Sequence, residues 1–261
     1  MEIATDPAEL TPVAQDYLKA VWSAQEWSDE KVTTKHLADR LGVGASTVSE
    51  TVRRLSGQGL LEHERYGAIR LTDDGRRLAL VMVRRHRLLE TFLVDQLGYG
   101  WDEVHDEAEV LEHAVSDVFV ERMAACLGYP VRDPHGDPIP AADGTVVRPD
   151  AVPLSSMRAG DAGIVVRISD ADPEALRYLA ELGLDLDVRV EVTTRREFAG
   201  TVAVSWRCPA EAAAVEPAHR VVGGEVPGAA ERVADLGLLA ASRVWVTREQ
   251  GVADQPAETA L

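Results

Sequence analysis

The chain has 261 residues, 46% hydrophobic and 27% charged, which is enough for two or three packed domains. There is no run of about 18 apolar residues, and the acidic start MEIATDPAEL has neither the basic nor the apolar part of a secretory signal. A membrane span and export are therefore excluded, and a cytoplasmic protein with no membrane partner is expected. The net charge of −17 is unevenly placed: Lys31 to Glu90 holds 12 Lys and Arg against 7 Asp and Glu. A basic island in an acidic chain points to a polyanionic partner for that segment. Cys126 and Cys208 are too few for a disulfide framework or a four-thiolate zinc site.

In chain order, Val13, Tyr17, Leu18, Val21 and Trp22 recur at helical spacing and predict a helix between Leu10 and Trp27. Thr33 and Thr34 start a short helix that Gly42 ends. Val48, Val52 and Leu55 then share one face of a helix over about Ala45 to Leu55. Two apolar runs around Gly67, within residues 60–71, predict a β-hairpin. A long helix is expected from Asp73 to about Leu97 with Thr72 as cap. Two more follow, an acidic one from Asp102 to about Ser116 and another from Val118 to Leu127. Residues 130–153 are rich in Pro, Gly and Asp and predict a loop and linker. Beyond them, residues 162–168, 188–194, 201–206 and 243–247 look like strands, with one helix at Pro173 to Leu182. Residues 211–239 carry no clear pattern.

Two short helices across a Gly turn, then a hairpin, make a winged helix-turn-helix. Small polar groups at the start of the second helix suit contact with base edges and phosphates, and Ser46, Thr47 and Ser49 supply them. Glu50 sits where a base reader or a phosphate-repelling charge would stand. Arg53 and Arg54 suit the DNA backbone, as do Arg65 and Arg70 in the wing, and Thr34 and Lys35 at the start of the first helix complete the candidate set.

His86 and Glu90 are four apart, as are His105 and Glu109, and Glu112 and His113 extend the second set. On one helix, positions 105, 109, 112 and 113 form a continuous stripe. A core-facing stripe of imidazoles and carboxylates needs a compensating cation. No thiolate joins it, so the set favours Mn(II) or Fe(II) over structural zinc.

The segments Arg85–Glu90, Val104–Glu109 and Glu112–Asp117, with Ser46-Thr47-Val48-Ser49, the wing and Pro138-Ile139-Pro140, together resemble the diphtheria toxin repressor family of metal-dependent regulators. The likeness is strong over about Leu10 to Pro140 and looser over Leu154 to about Thr247. It implies a mostly α fold with a β C-terminal domain. The divisions would be a winged helix-turn-helix over 1–72, a helical metal-binding and dimerisation domain over 73–140, a linker over 141–153, an SH3-like β-barrel over 154–250 and a disordered tail over 251–261. It also implies two metal sites per subunit. The primary site would use Asp16, Glu109, Glu112 and His113. The ancillary site would use His86, Glu90 and His105, with Asp170 and Asp172 from the SH3-like domain.

Iron-sensing members carry Met and Cys where this chain has Asp16 and Glu109. Carboxylates harden the site, which is the pattern of the manganese-sensing branch. Some manganese sensors have a second carboxylate three residues after the first, where this chain has Lys19; one primary and one ancillary site are therefore expected. The reading is a homodimeric, Mn(II)-dependent repressor that reads a pseudo-palindromic operator in double-stranded DNA and controls metal homeostasis genes. Dimer contacts are expected between Asp102 and Leu127. An Fe(II)-dependent repressor is the alternative within the class, and a Mn-dependent hydrolase the alternative outside it.

Overall fold

The computed structural model describes residues 6–63, 67–207 and 231–249. The described chain divides into two compact units. One takes its residues from Met1–Gln96, Asp106–Asp133 and Pro138–Val147; the other takes them from Leu97–His105, Pro134–Asp137 and Arg148–Leu261.

In the first unit, α1 (Pro12–Glu26) starts on Thr11, whose hydroxyl accepts from Ala14 N, with Pro12 at the first helical position. Next, α2 (Thr34–Leu41) is capped by Thr33 and stopped by Gly42 in the left-handed region at φ +64°. The following helix, α3 (Ala45–Gly57), buries Val48, Thr51, Val52 and Leu55. Its wing is the antiparallel pair β1 (Leu61–His63) and β2 (Ile69–Leu71), in register Leu61↔Leu71. These elements close over one core that includes Leu18, Val21, Val32, Leu37, Val52, Leu55 and Ile69.

The 25-residue α4 (Asp73–Leu97) begins at Thr72, whose Oγ1 accepts from Gly75 N at 3.0 Å and donates to Gly59 O at 2.8 Å. A Cβ on Gly75 would lie 1.9 Å from Leu60 O, so only glycine lets α4 approach the wing this closely. Arg84 and Arg87 of α4 donate to Pro140 O and Pro138 O, which fastens the buried Ile139 segment on the helix.

One expectation needs correction here. The acidic helix α5 spans only Val104–Leu111 instead of reaching Ser116. Glu112 N still bonds Ala108 O, but Ala114 N bonds Leu111 O in a tighter turn. Ser116 is extended (φ −83°, ψ 157°) because it caps α6 (Asp117–Cys126), accepting from Phe119 N, so the preceding helix has to stop. The 105–113 stripe is therefore a helix plus a turn, with Glu112 and His113 in the turn.

The second unit is built on a six-stranded antiparallel sheet in the order β3-β8-β4-β5-β6-β7. The strands are β3 (Val152–Pro153), β4 (Ala162–Ile168), β5 (Arg189–Arg196), β6 (Thr201–Arg207), β7 (Glu231–Gly237) and β8 (Val244–Arg248). Val190 and Val192, Val202, Val204 and Trp206, and Val244 and Val246 alternate into one core with Leu176 and Leu179 of α7 (Pro173–Leu182). A four-residue α8 (Leu238–Ala241) joins β7 to β8. Pairing among the described residues leaves β3 and β7 at the two ends of the sheet, an open order and not a closed barrel. Both β3 and β7 went unpredicted, and β7 lies in the segment without pattern. The expected tail 251–261 and Cys208 fall outside the described residues, whereas Cys126 is an exposed free thiol. No helix among the described residues is long and apolar enough to cross a membrane.

Candidate metal centre and nucleic-acid interface

On α1, Gln15, Asp16 and Lys19 lie within about one turn of each other. Tyr17 and Leu18 are buried in the DNA-head core, which fixes the rotation of the helix. The polar trio meets the end of α5 and the turn that follows it. Asp16, Glu112 and His113 each offer one ligand atom, all within 4.8 Å of one another.

Gln15 sets the state of His113. The Gln15 amide nitrogen donates to Pro7 O at 2.7 Å and Leu10 O at 3.3 Å, so its Oε1 is the acceptor left for His113 Nδ1, 2.7 Å away. Nδ1 then carries a proton, and in the neutral tautomer Nε2 is the lone pair. That lone pair lies 2.9 Å from Asp16 Oδ1 and 3.5 Å from Glu112 Oε1. Asp16 Oδ1 is buried and has no hydrogen-bond partner despite this approach. In that tautomer the Nε2 lone pair and Asp16 Oδ1 would converge in a way that suits a shared cation, and the oxygen–nitrogen donor set fits a hard-to-borderline divalent ion. Burial pushes the Asp16 carboxyl above its usual range, against the opposing pull of His113 and Lys19.

Glu109 is not within that three-residue set. It is tied to it by Lys19, whose Nζ lies 2.7 Å from both Glu109 Oε1 and Glu112 Oε1. The second oxygen of Glu112 meets His86 Nδ1 at 2.7 Å, and His86 Nε2 meets Glu90 Oε1 at 2.9 Å. Burial works against charge on His86, but the carboxylates of Glu90 and Glu112 outweigh it, and the imidazole is pushed up to about 10. In the second unit, His105 Nδ1 is 3.6 Å from Asp170 Oδ2. Asp172 has other work: it caps α7, accepting from Glu174 N and Ala175 N, and pairs with Arg243 at 3.2 Å. Sequence reasoning passed over Gln15 and left Lys19 unassigned, because their partners stand some ninety residues away.

The candidate DNA contacts divide cleanly. Ser46, Thr47, Ser49, Glu50, Arg53 and Arg54 are all exposed on α3, on the face opposite Val48, Val52 and Leu55. Ser49 Oγ donates back to Ala45 O at 2.9 Å, and Gly44 caps the helix without a side chain. Lys35 is exposed and Thr34 half-buried at the start of α2. Arg70 is exposed on β2 opposite Glu62, and Arg65 lies outside the described residues.

Three family descriptions cover most of the chain. Residues 9–69 match the N-terminal DNA-binding domain of iron-dependent repressors, residues 72–141 their metal-binding and dimerisation domain, and residues 152–212 the FeoA domain. The chain is 34% identical over 200 residues to the iron-dependent repressor IdeR of Mycobacterium tuberculosis, covering 71% of this chain and 86% of that protein. It is 32% identical over 191 residues to the diphtheria toxin repressor of Corynebacterium diphtheriae, covering 70% and 83%. Among solved structures, a manganese-dependent transcriptional repressor in complex with manganese is 56% identical, with TM-score 0.79, covering 90% of this chain and 99% of that one. The manganese regulator SloR is 31% identical, with TM-score 0.70, covering 92% and 100%.

Proposed function

The chain belongs to the diphtheria toxin repressor family of metal-dependent transcriptional repressors, and from that premise we propose that its activating ion is Mn(II). The family is one of DNA-binding repressors, not enzymes, which removes the hydrolase alternative. The observation that carries the metal assignment is the convergence of Asp16 Oδ1 and His113 Nε2, with Glu112 beside them and no sulfur in the set. Glu109 is proposed as a further oxygen ligand. When bound, the ion would add positive charge to that which Lys19 already gives Glu109 and Glu112. The 56% identical manganese-dependent repressor supports Mn(II), while the IdeR relatives keep Fe(II) as the second reading.

The chain's own residues explain how such a site governs DNA binding. Asp16 belongs to α1, whereas Glu112 and His113 stand in the turn after α5. Through Tyr17, Leu18 and Val21, α1 packs in the same core as Val48, Val52 and Leu55 of the recognition helix. Holding Asp16 against Glu112 and His113 therefore restricts α3 as well, a population shift toward one head orientation. In a homodimer the two heads would then meet half-sites of a pseudo-palindromic operator. Val110, Val118 and Phe119, exposed on α5 and α6, are the proposed apolar centre of the dimer contact.

A second ion per subunit rests on the resemblance alone, with His86, Glu90, His105 and Asp170 as its ligands. Asp172 is set aside because its carboxylate is engaged as a helix cap. The open sheet is proposed to be the family's SH3-like module, the domain divisions expected from the sequence are retained, and the location is proposed to be cytoplasmic. The test is an anaerobic titration of wild type and Glu109→Cys with Mn(II) and Fe(II) on duplex DNA selected by the protein itself. Wild type should respond to Mn(II) at lower free metal than to Fe(II), and the thiolate should shift activation toward Fe(II). Equal responses of wild type to both ions would contradict the Mn(II) assignment.

A further inference from the structure

Lys19 is almost enclosed, with 11% of its side chain exposed, and its ammonium lies midway between two acidic oxygens at 2.7 Å each. These are short, charge-assisted hydrogen bonds. One of the two acceptors, Glu112 Oε1, is also the oxygen that faces His113 Nε2 at 3.5 Å. The lysine therefore engages an atom of the Asp16–Glu112–His113 set directly. Its position on α1 makes this unavoidable: residue 19 stands three places after Asp16, so both side chains emerge toward the same turn. A lysine is a compact point charge on a flexible stem, with rotatable donors and no planar fork to lock its direction, and so it can be drawn off a carboxylate in a way that an arginine fork resists.

We propose that Lys19 is a tethered competitor of the activating ion: its ammonium and a divalent cation contend for the oxygens of Glu109 and Glu112, and this competition sets the metal concentration at which the protein responds. The proposal rests on the primary-site reading given above. Two cations cannot approach one carboxylate oxygen without repelling, so the ion must push the ammonium aside or accept a weakened hold. Lys19 thus raises the threshold for activation without touching DNA. It also keeps α1 near the Glu112 turn through an ordinary ion pair, so that entry of the ion exchanges one tether for another.

A purely structural ion pair and a competitor predict opposite results for Lys19→Met, which keeps most of the stem and removes the charge. The measurement is Mn(II) binding by equilibrium dialysis, with free Mn(II) read by electron paramagnetic resonance, alongside thermal unfolding in chelator. Competition predicts that Lys19→Met binds Mn(II) about tenfold more tightly than wild type or better, although it unfolds earlier in chelator. Lys19→Arg, which keeps the charge, should stay near wild type. Mn(II) binding by Lys19→Met that is unchanged or weaker would overturn the proposal, and Lys19→Gln gives the same reading if the methionine variant does not fold. Glu112→Gln separates the two claims. Loss of Mn(II) there, with no gain in Lys19→Met, overturns the competitor role alone. Undiminished Mn(II) binding in Glu112→Gln overturns the primary site and the competitor role with it.

Discussion

The first helix is fastened by ion pairs at its C-terminal end and at its middle, and the two fastenings are made with different cations. Near its C-terminus, Glu26 receives the fork of Arg87, Nη1 to Oε1 at 2.9 Å and Nη2 to Oε2 at 2.5 Å. The same guanidinium reaches Pro138 O at 2.7 Å and Asp133 at 3.5 Å. About 10 Å along the helix axis, Lys19 meets Glu109 and Glu112 with a single ammonium, in a group of four carboxylates when Asp16 and Glu90 are included, with His86 between Glu90 and Glu112 as the other basic group. The planar fork matches one carboxylate in direction as well as charge, whereas the ammonium only divides itself between two. The arginine end is a closed structural joint. The lysine end gathers four carboxylates around Lys19 and His86, more negative charge than these two satisfy, which is the condition for admitting a divalent ion. Buried charge by itself does not mark a functional site; excess of one sign, with donors that a single cation can share, does.

Breaking the closed end should have the largest effect. Glu26→Ala leaves the Arg87 guanidinium buried without its fork partner, and a loss of about 3–5 kcal/mol is expected. Urea unfolding should show it equally in chelator and in saturating Mn(II). A loss that Mn(II) repairs would mean that the two ends are not distinct. The Glu26→Leu, Arg87→Met double variant should recover much of the loss, because it removes both charges together.

The open end is sharpened by Gln15, whose amide fixes the proton on His113 Nδ1. Gln15→Leu should weaken Mn(II) binding by about 10- to 100-fold, the range seen for groups that orient a metal-binding imidazole. Isothermal titration calorimetry would show it, and an unchanged affinity would remove the tautomer argument.

The smallest effect is expected far from either end. Arg54→Ala should leave Mn(II) binding and stability alone and lower the salt slope of DNA binding by about one, as for one lost phosphate contact. Thr47→Ala should instead narrow the gap between preferred and random DNA. Fluorescence anisotropy across a salt series distinguishes the two.

How much of this was readable in the sequence depends on the distance over which each feature is decided. The recognition helix and its outward polar face were legible because Val48, Val52 and Leu55 recur at helical spacing while Ser46, Thr47, Arg53 and Arg54 fall off that face. Strands β5, β6 and β8 were legible for the same reason at a period of two. By contrast, β7 buries only Leu236 fully, so no alternation marks it, and β3 is two residues long. The end of α5 was misplaced because its stop comes from the extended cap at Ser116, not from any helix breaker within the acidic run. Candidate ligands could be named from residue type and spacing, but their partners could not. Nothing local to Lys19 or Gln15 indicates Glu109, Glu112 or His113, whereas the cap role of Asp172 was there to be read from its place just before Pro173 at the start of α7.

Asp16 is the proposed ligand on α1 that would join the helix to the Glu112–His113 turn, so Asp16→Ala tests the account most directly. The measurement is the affinity for the protein's selected duplex DNA at limiting free Mn(II), compared with the affinity in chelator. The account predicts that Asp16→Ala binds DNA in Mn(II) no better than wild type does in chelator, while its unfolding in chelator stays within about 1 kcal/mol of wild type. DNA affinity in limiting Mn(II) equal to that of wild type would contradict it.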